Sequence, residues 1–148
     1  MSKKRYCNVR RMNKLIAALK TEAAGHMFNM NYYIHCGKLA PRDAFKSGGQ
    51  CGTSACIAGM AAIIAPRFFT IENGYAYAKR LGDWSGLLKG FNAWLEIPNE
   101  DGELLTEPDM GVWLNSDSKD ISHAINVLEA YRNGGMDLVE KIEGVELA

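Results

Sequence analysis

The stretch from Gln50 to Pro66 constrains the fold of this chain more than any other part of it, because seventeen consecutive residues carry no charge and most are small or apolar. Gly52 permits a sharp turn, and Thr53 or Ser54 can supply the N-cap oxygen of a helix. Pro66 stops that helix, since proline has no amide to donate and biases Ala65 away from helical geometry. Ala55, Ala58, Gly59 and Ala62 recur at spacings of three and four and make one face nearly flat. Cys56, Ile57, Met60, Ile63 and Ile64 cover the remainder with apolar bulk. A helix apolar on every side belongs in a core. At about a dozen residues it is shorter than the roughly 20 needed to cross a bilayer. The expectation is a central helix whose flat face lies against a neighbouring backbone.

A chain of 148 residues that is 47% hydrophobic can bury one core, so a single domain is expected over 1–148. Its 17 basic and 17 acidic residues cancel, which removes any global field for attracting nucleic acid. Locally the balance differs. Lys3, Lys4, Arg5, Arg10 and Arg11 make the N-terminus basic, so residues 1–10 are expected as a flexible arm on a globular core of 11–142, with nucleic acid as its candidate partner. Charges recurring through Lys14 and Lys20 leave no apolar core for a signal peptide. A cytoplasmic protein is therefore expected, with no membrane association. Cys7, Cys36, Cys51 and Cys56 are then read as thiols or ligands rather than disulfides.

Met12, Leu15, Ile16, Leu19 and Ala23 predict an amphipathic helix over 11–24 ended by Gly25. Phe28 to Ile34 reads as an extended segment packed into the core. One short helical turn is expected at Pro41 to Phe45. Beyond the central helix, Tyr75 to Leu81 reads as a short helix, and Ser85 as the cap of a helix over 86–95 with Leu87, Leu88, Phe91 and Trp94 as its stripe. Glu96 to Leu114 contains Pro98, Gly102, Pro108 and Gly111 and reads as a long loop with one hairpin around Glu100-Asp101-Gly102. Ser118 or Asp120 starts the last major helix, in which Ile121, Ala124, Ile125, Leu128 and Tyr131 form the stripe. Asn133-Gly134-Gly135 ends it, before a short turn from Met136 to Ile142. The sum is a mainly α fold of about five helices with long loops and at most a minor β-hairpin.

Phe28-Asn29-Met30, the run Cys51-Gly52-Thr53-x-x-Cys56-Ile57-Ala58-Gly59-x-Ala61, Ala78-x-x-Leu81-Gly82 and the helix from Ile121 ending in Asn133-Gly134 together resemble a family of small, uncharacterised bacteriophage and prophage proteins. The likeness covers residues 12 to 135. It implies a phage-type origin, in the cytoplasm of a host cell, and brings no reaction with it.

Three readings of the cysteines compete. A thiol at a helix N-terminus is favoured as thiolate by the dipole, and Cys51 or Cys56 with His123, and Asn126 nearby, is similar in outline to a papain-like pair. Those peptidases, however, carry their histidine on a strand, while Asp120 to Arg132 has a helical stripe with His123 outside its apolar face. Their oxyanion glutamine, about six residues before the nucleophile, is missing ahead of Cys51, although Gln50 stands six before Cys56. A metal site would draw on Cys36, Cys51 and Cys56 with His35 or His26, but this spacing matches no compact zinc module. The third reading is structural: Cys51, Gly52, Thr53, Cys56 and Gly59 shape the start and packing of the central helix. That reading is preferred, and no cofactor is expected.

With no phosphate loop, paired-carboxylate motif or metal signature in the sequence, the leading functional expectation is a non-enzymatic accessory protein. It would bind a host or phage macromolecule, a protein first of all, and could inhibit it. A cysteine-dependent hydrolase is the alternative. The acidic segment with Glu100, Asp101 and Glu103, and Trp113 as aromatic anchor, is the candidate interaction surface.

Overall fold

The computed structural model describes residues 5–28, 34–35, 40–48, 54–72, 75–78, 86–106 and 121–143. The fold is mainly α. Among the described residues there are seven helices: α1 Val9–Leu19, α2 Glu22–Met27, α3 Pro41–Lys46, α4 Ile57–Ile64, α5 Leu87–Leu95, α6 Asn99–Thr106 and α7 Ile121–Glu143. Four short strands pair as two antiparallel ribbons. β1 (Ile34–His35) pairs with β2 (Ser54–Ala55), and β3 (Phe69–Glu72) pairs with β4 (Tyr75–Ala78).

The uncharged run forms the centre as expected. Every residue of α4 from Ile57 to Ile63 is buried, and the helix packs against α1, α3, α5 and the β3–β4 ribbon. It begins later than the sequence predicts. Ser54 and Ala55 pair with His35 and Ile34, and Ala55 also bridges Phe28, so these residues belong to a ribbon and Cys56 takes the N-cap position. Backbone pairing satisfies amides that a helical first turn would leave open.

Other differences have equally local causes. The helix expected over 11–24 is two helices. Thr21 adopts extended geometry, donates its hydroxyl hydrogen to the Ala18 carbonyl at 2.7 Å and accepts from the Ala24 amide at 3.2 Å, so it ends α1 and caps α2, which contains Gly25. Tyr75–Ala78 is a strand rather than the start of a helix, with Phe69 opposite Ala78 and Glu72 opposite Tyr75. The cap of α5 is Gly86, whose backbone is extended and supplies no side chain; Ser85 lies outside the described residues. Where the hairpin around Glu100-Asp101-Gly102 is expected stands α6, with Glu100 and Asp101 in its first turn, where carboxylates favour the positive helix end; the rest of the expected loop, 107–114, lies outside the described residues. The short helix Pro41–Lys46 stands where it was expected.

α5 sits close against the β3–β4 ribbon. A Cβ on Gly90 would lie 2.8 Å from both the Ala78 Cβ and the Phe69 ring, so only glycine lets these elements approach so closely. The Phe69 and Trp94 rings meet edge to face at 6.3 Å. α7 breaks where Asn133-Gly134-Gly135 predicts: Gly135 has φ 69° and ψ −163°, and the helix resumes to Glu143. The Tyr6 ring occupies the space over that break, 2.6 Å from where a Gly135 Cβ would stand. The described part of the basic N-terminal segment is thus packed down. Cys7 is 1% exposed, and the Asn8 amide donates to the Leu95 carbonyl at 2.6 Å. Arg5 donates to one oxygen of Glu96 at 2.8 Å and Asn8 to the other at 2.5 Å. These contacts hold Glu96 in the left-handed region, φ 57° and ψ 48°, at the end of α5, a conformation uncommon outside glycine.

Candidate functional site: a cation-lined cleft

α4 and α5 both end at the same cleft, of about 410 Å³, which α1 closes from the side. Its cations are Arg11 and Lys14 from α1 and Arg67 from the turn after α4, and its apolar wall includes Ile64, Phe68 and Trp94. Among the described residues no carboxylate lines it. Residues three apart on a helix share a face, so Arg11 and Lys14 project together, with the exposed Arg10 one turn before Lys14.

The cations differ in how they are held. Arg11 donates to the Trp94 carbonyl at 2.8 Å, in the last turn of α5, and its guanidinium lies 5.6 Å from the centre of the Phe68 ring. Lys14 and Arg67 are exposed, and neither pairs with a carboxylate among the described residues. From the other side, Arg42 of α3 donates its Nε to the Ile63 carbonyl at 3.2 Å and its Nη2 to the Ala62 and Phe69 carbonyls, both at 2.9 Å. Burial lowers the Arg42 pKa, but three carbonyl acceptors, two of them at the negative end of α4 and one in β3, stabilise its charge.

The residues singled out from the sequence are dispersed relative to this cleft. Cys56 is 1% exposed at the head of α4 and is part of the core. His123 lies half-buried in the first turns of α7. His35 is in β1, His26 is in α2, and Cys36, Cys51, Gly52, Thr53 and Trp113 lie outside the described residues. Among the described residues no group of three or more His, Cys, Asp or Glu side chains is placed to hold a metal ion, and no helix is long and apolar enough to cross a membrane. Of the acidic candidates, Glu100 and Glu103 are exposed on α6. Asp101 accepts a 2.6 Å hydrogen bond from the Tyr131 hydroxyl, and Leu105 is fully buried. This side of α6 is therefore fastened to the core. Burial, then the bond to Asp101, pushes the Tyr131 pKa well above its ordinary value. Burial likewise raises the Cys7 thiol, with Arg132 and Arg5 opposing.

Sequence reasoning identified Arg11 as basic but not the cleft, because Arg11, Arg67 and Trp94 are far apart in the chain. The available signal was Arg10-Arg11-x-x-Lys14, a helical face of cations with no acid within a turn of it. Comparison with protein-family models, with curated proteins and with solved structures returned no match.

Proposed function

We propose that this protein is a non-enzymatic accessory protein of phage type that acts by binding a negatively charged macromolecule of host or phage through the cleft between α1, α5 and the turn after α4. The observation that carries the reading is the convergence of Arg11, Lys14 and Arg67 on one concavity that no carboxylate lines among the described residues. Like charges held together raise the energy of the folded chain, and an anionic partner would relieve that cost. The phage-type element rests on the sequence resemblance alone.

Retention on an immobilised polyanion tests the reading. The formal net charge is zero, so retention at low salt requires a local patch rather than bulk charge. Lys14→Glu with Arg67→Glu should abolish it. Lys46→Glu with Lys141→Glu, an equal charge change at exposed lysines outside the cleft, should leave it detectable. Equal behaviour of the two double variants would overturn the proposal.

A further inference from the structure

Resting on that reading, we infer that the cleft takes single-stranded nucleic acid, with phosphates on Lys14 and Arg67 and a base against the Phe68 wall.

The first step is to ask whether the cations are needed for the fold. Two helix C-termini meet here, and each carries the equivalent of about half a negative charge. Arg42 bonds the last carbonyls of α4 and Arg11 a last carbonyl of α5. Those two full charges already exceed what both helix ends ask for. Lys14 and Arg67 are therefore surplus to the fold, exposed, and without a carboxylate partner among the described residues. Glu96, just past the end of α5, is bonded by Arg5 and Asn8 and forms no ion pair with Lys14 or Arg67.

The second step is the shape of the missing partner. A cleft of about 410 Å³ is in the size range of small-ligand sites, about 300–1,000 Å³, and suits a nucleotide-sized group. It is a poor match to an acidic protein face, which would spread over about 800 Å² per side. Half of the wall is apolar and aromatic: Phe68 is half-buried with one ring face against the Arg11 guanidinium, and Ile64 and Trp94 continue the surface. A peptide carboxylate gives that wall nothing to cover it. A nucleotide brings a phosphate for the cations and a planar base for the ring, and guanidinium planes also stack on bases. A duplex keeps its base faces stacked internally and would leave the apolar half open to water, which favours a single strand.

Fluorescence anisotropy decides it, using a labelled mixed-sequence 12-nucleotide single strand, the same sequence as a duplex, and an octaglutamate peptide. The single strand should bind with a logarithmic salt slope of about −1.4 to −2.1, from two to three phosphates at roughly 0.7 each. Lys14→Glu with Arg67→Glu should weaken it at least tenfold at unchanged Tm. Phe68→Leu should weaken it about tenfold with the slope unchanged, since it removes stacking and no charge. Duplex affinity equal to that of the single strand would overturn the base-against-Phe68 arrangement. Octaglutamate binding as tightly as the strand, and lost in the double variant, would overturn the nucleic-acid inference while the anion-binding function stands. Failure of all three probes, together with loss of polyanion retention as a distinguishing trait, would remove both.

Discussion

The C-terminal ends of α4 and α5 border one cleft, and each is met by an arginine, but the two arginines are placed differently. Arg42 reaches in from α3 and gives its Nε and Nη2 to three carbonyls. Arg11 gives one N–H to Trp94, rests on Phe68 and remains on the cleft rim. The same electrostatic task at a helix end is thus done once by a cation whose N–H groups are taken up by three carbonyls and once by a cation that still lines the open cleft. A basic residue beside a helix C-terminus is therefore informative about binding only after its carbonyl contacts have been counted.

The largest expected effect is at the closed end. Arg42→Met keeps an apolar stem and deletes the charge, and should cost about 2–3 kcal/mol, because hydrogen bonds from charged groups contribute about 1.5–3 kcal/mol and several carbonyls lose theirs together. Urea unfolding measures this, and a loss below about 1 kcal/mol would mean that the two ends are equivalent. Arg11→Met should cost about 1–2 kcal/mol, one charged hydrogen bond plus a partly exposed cation–π contact. A larger loss than at Arg42 would invert the comparison.

An alkaline titration sharpens it further. Tyr131 and Cys7 are the groups whose raised folded-state pKa values should bend the curve. The sign follows from linkage. A raised pKa gives stability that is complete below the unfolded value and declines as pH rises past it, from about 8.5 for the thiol and about 10 for the phenol. Tyr131→Phe should lose about 1 kcal/mol at neutral pH and flatten the decline above about pH 10, whereas Arg42→Met should lower the whole curve without changing its shape. A changed alkaline slope in the Arg42 variant would tie its guanidinium to the Tyr131–Asp101 pair. The smallest effect on stability is expected for Lys14→Glu with Arg67→Glu, within about 0.5 kcal/mol; a loss above about 1.5 kcal/mol would make these cations part of the fold after all.

How far the sequence discloses these features depends on the range of the interactions that make them. α4 is legible because an uncharged run has nowhere to lie except inside, and the break in α7 is legible because Gly134-Gly135 permits a left-handed residue. α6 was hidden by Pro98 and Gly102, which read as loop residues, although Asn99-Glu100-Asp101 has the acidic first turn of a helix. The β3–β4 ribbon was open to discovery. Phe69-Thr70-Ile71-Glu72 and Tyr75-Ala76-Tyr77-Ala78 flank Asn73-Gly74, the strongest short-range hairpin signal, and only the helix-forming alanines argued otherwise. Thr21 is a different case, since one hydroxyl both ends α1 and starts α2 within an unbroken helical pattern. Arg42 and the cleft depend on contacts 20 to 83 residues apart in sequence, which no local periodicity encodes.

The seat of Tyr6 over the break at Gly135 also has a consequence for how the chain matures on the ribosome. Tyr6 emerges more than a hundred residues ahead of Gly135, whose break receives it. At about 5–20 residues per second, Tyr6 and Cys7 wait on the order of ten seconds with their apolar side chains uncovered, while α1, α4 and α5 assemble. The N-terminal segment should therefore be the last part to acquire protection during synthesis. A fusion partner placed ahead of Met1 would interfere with completion of the fold rather than with its nucleation.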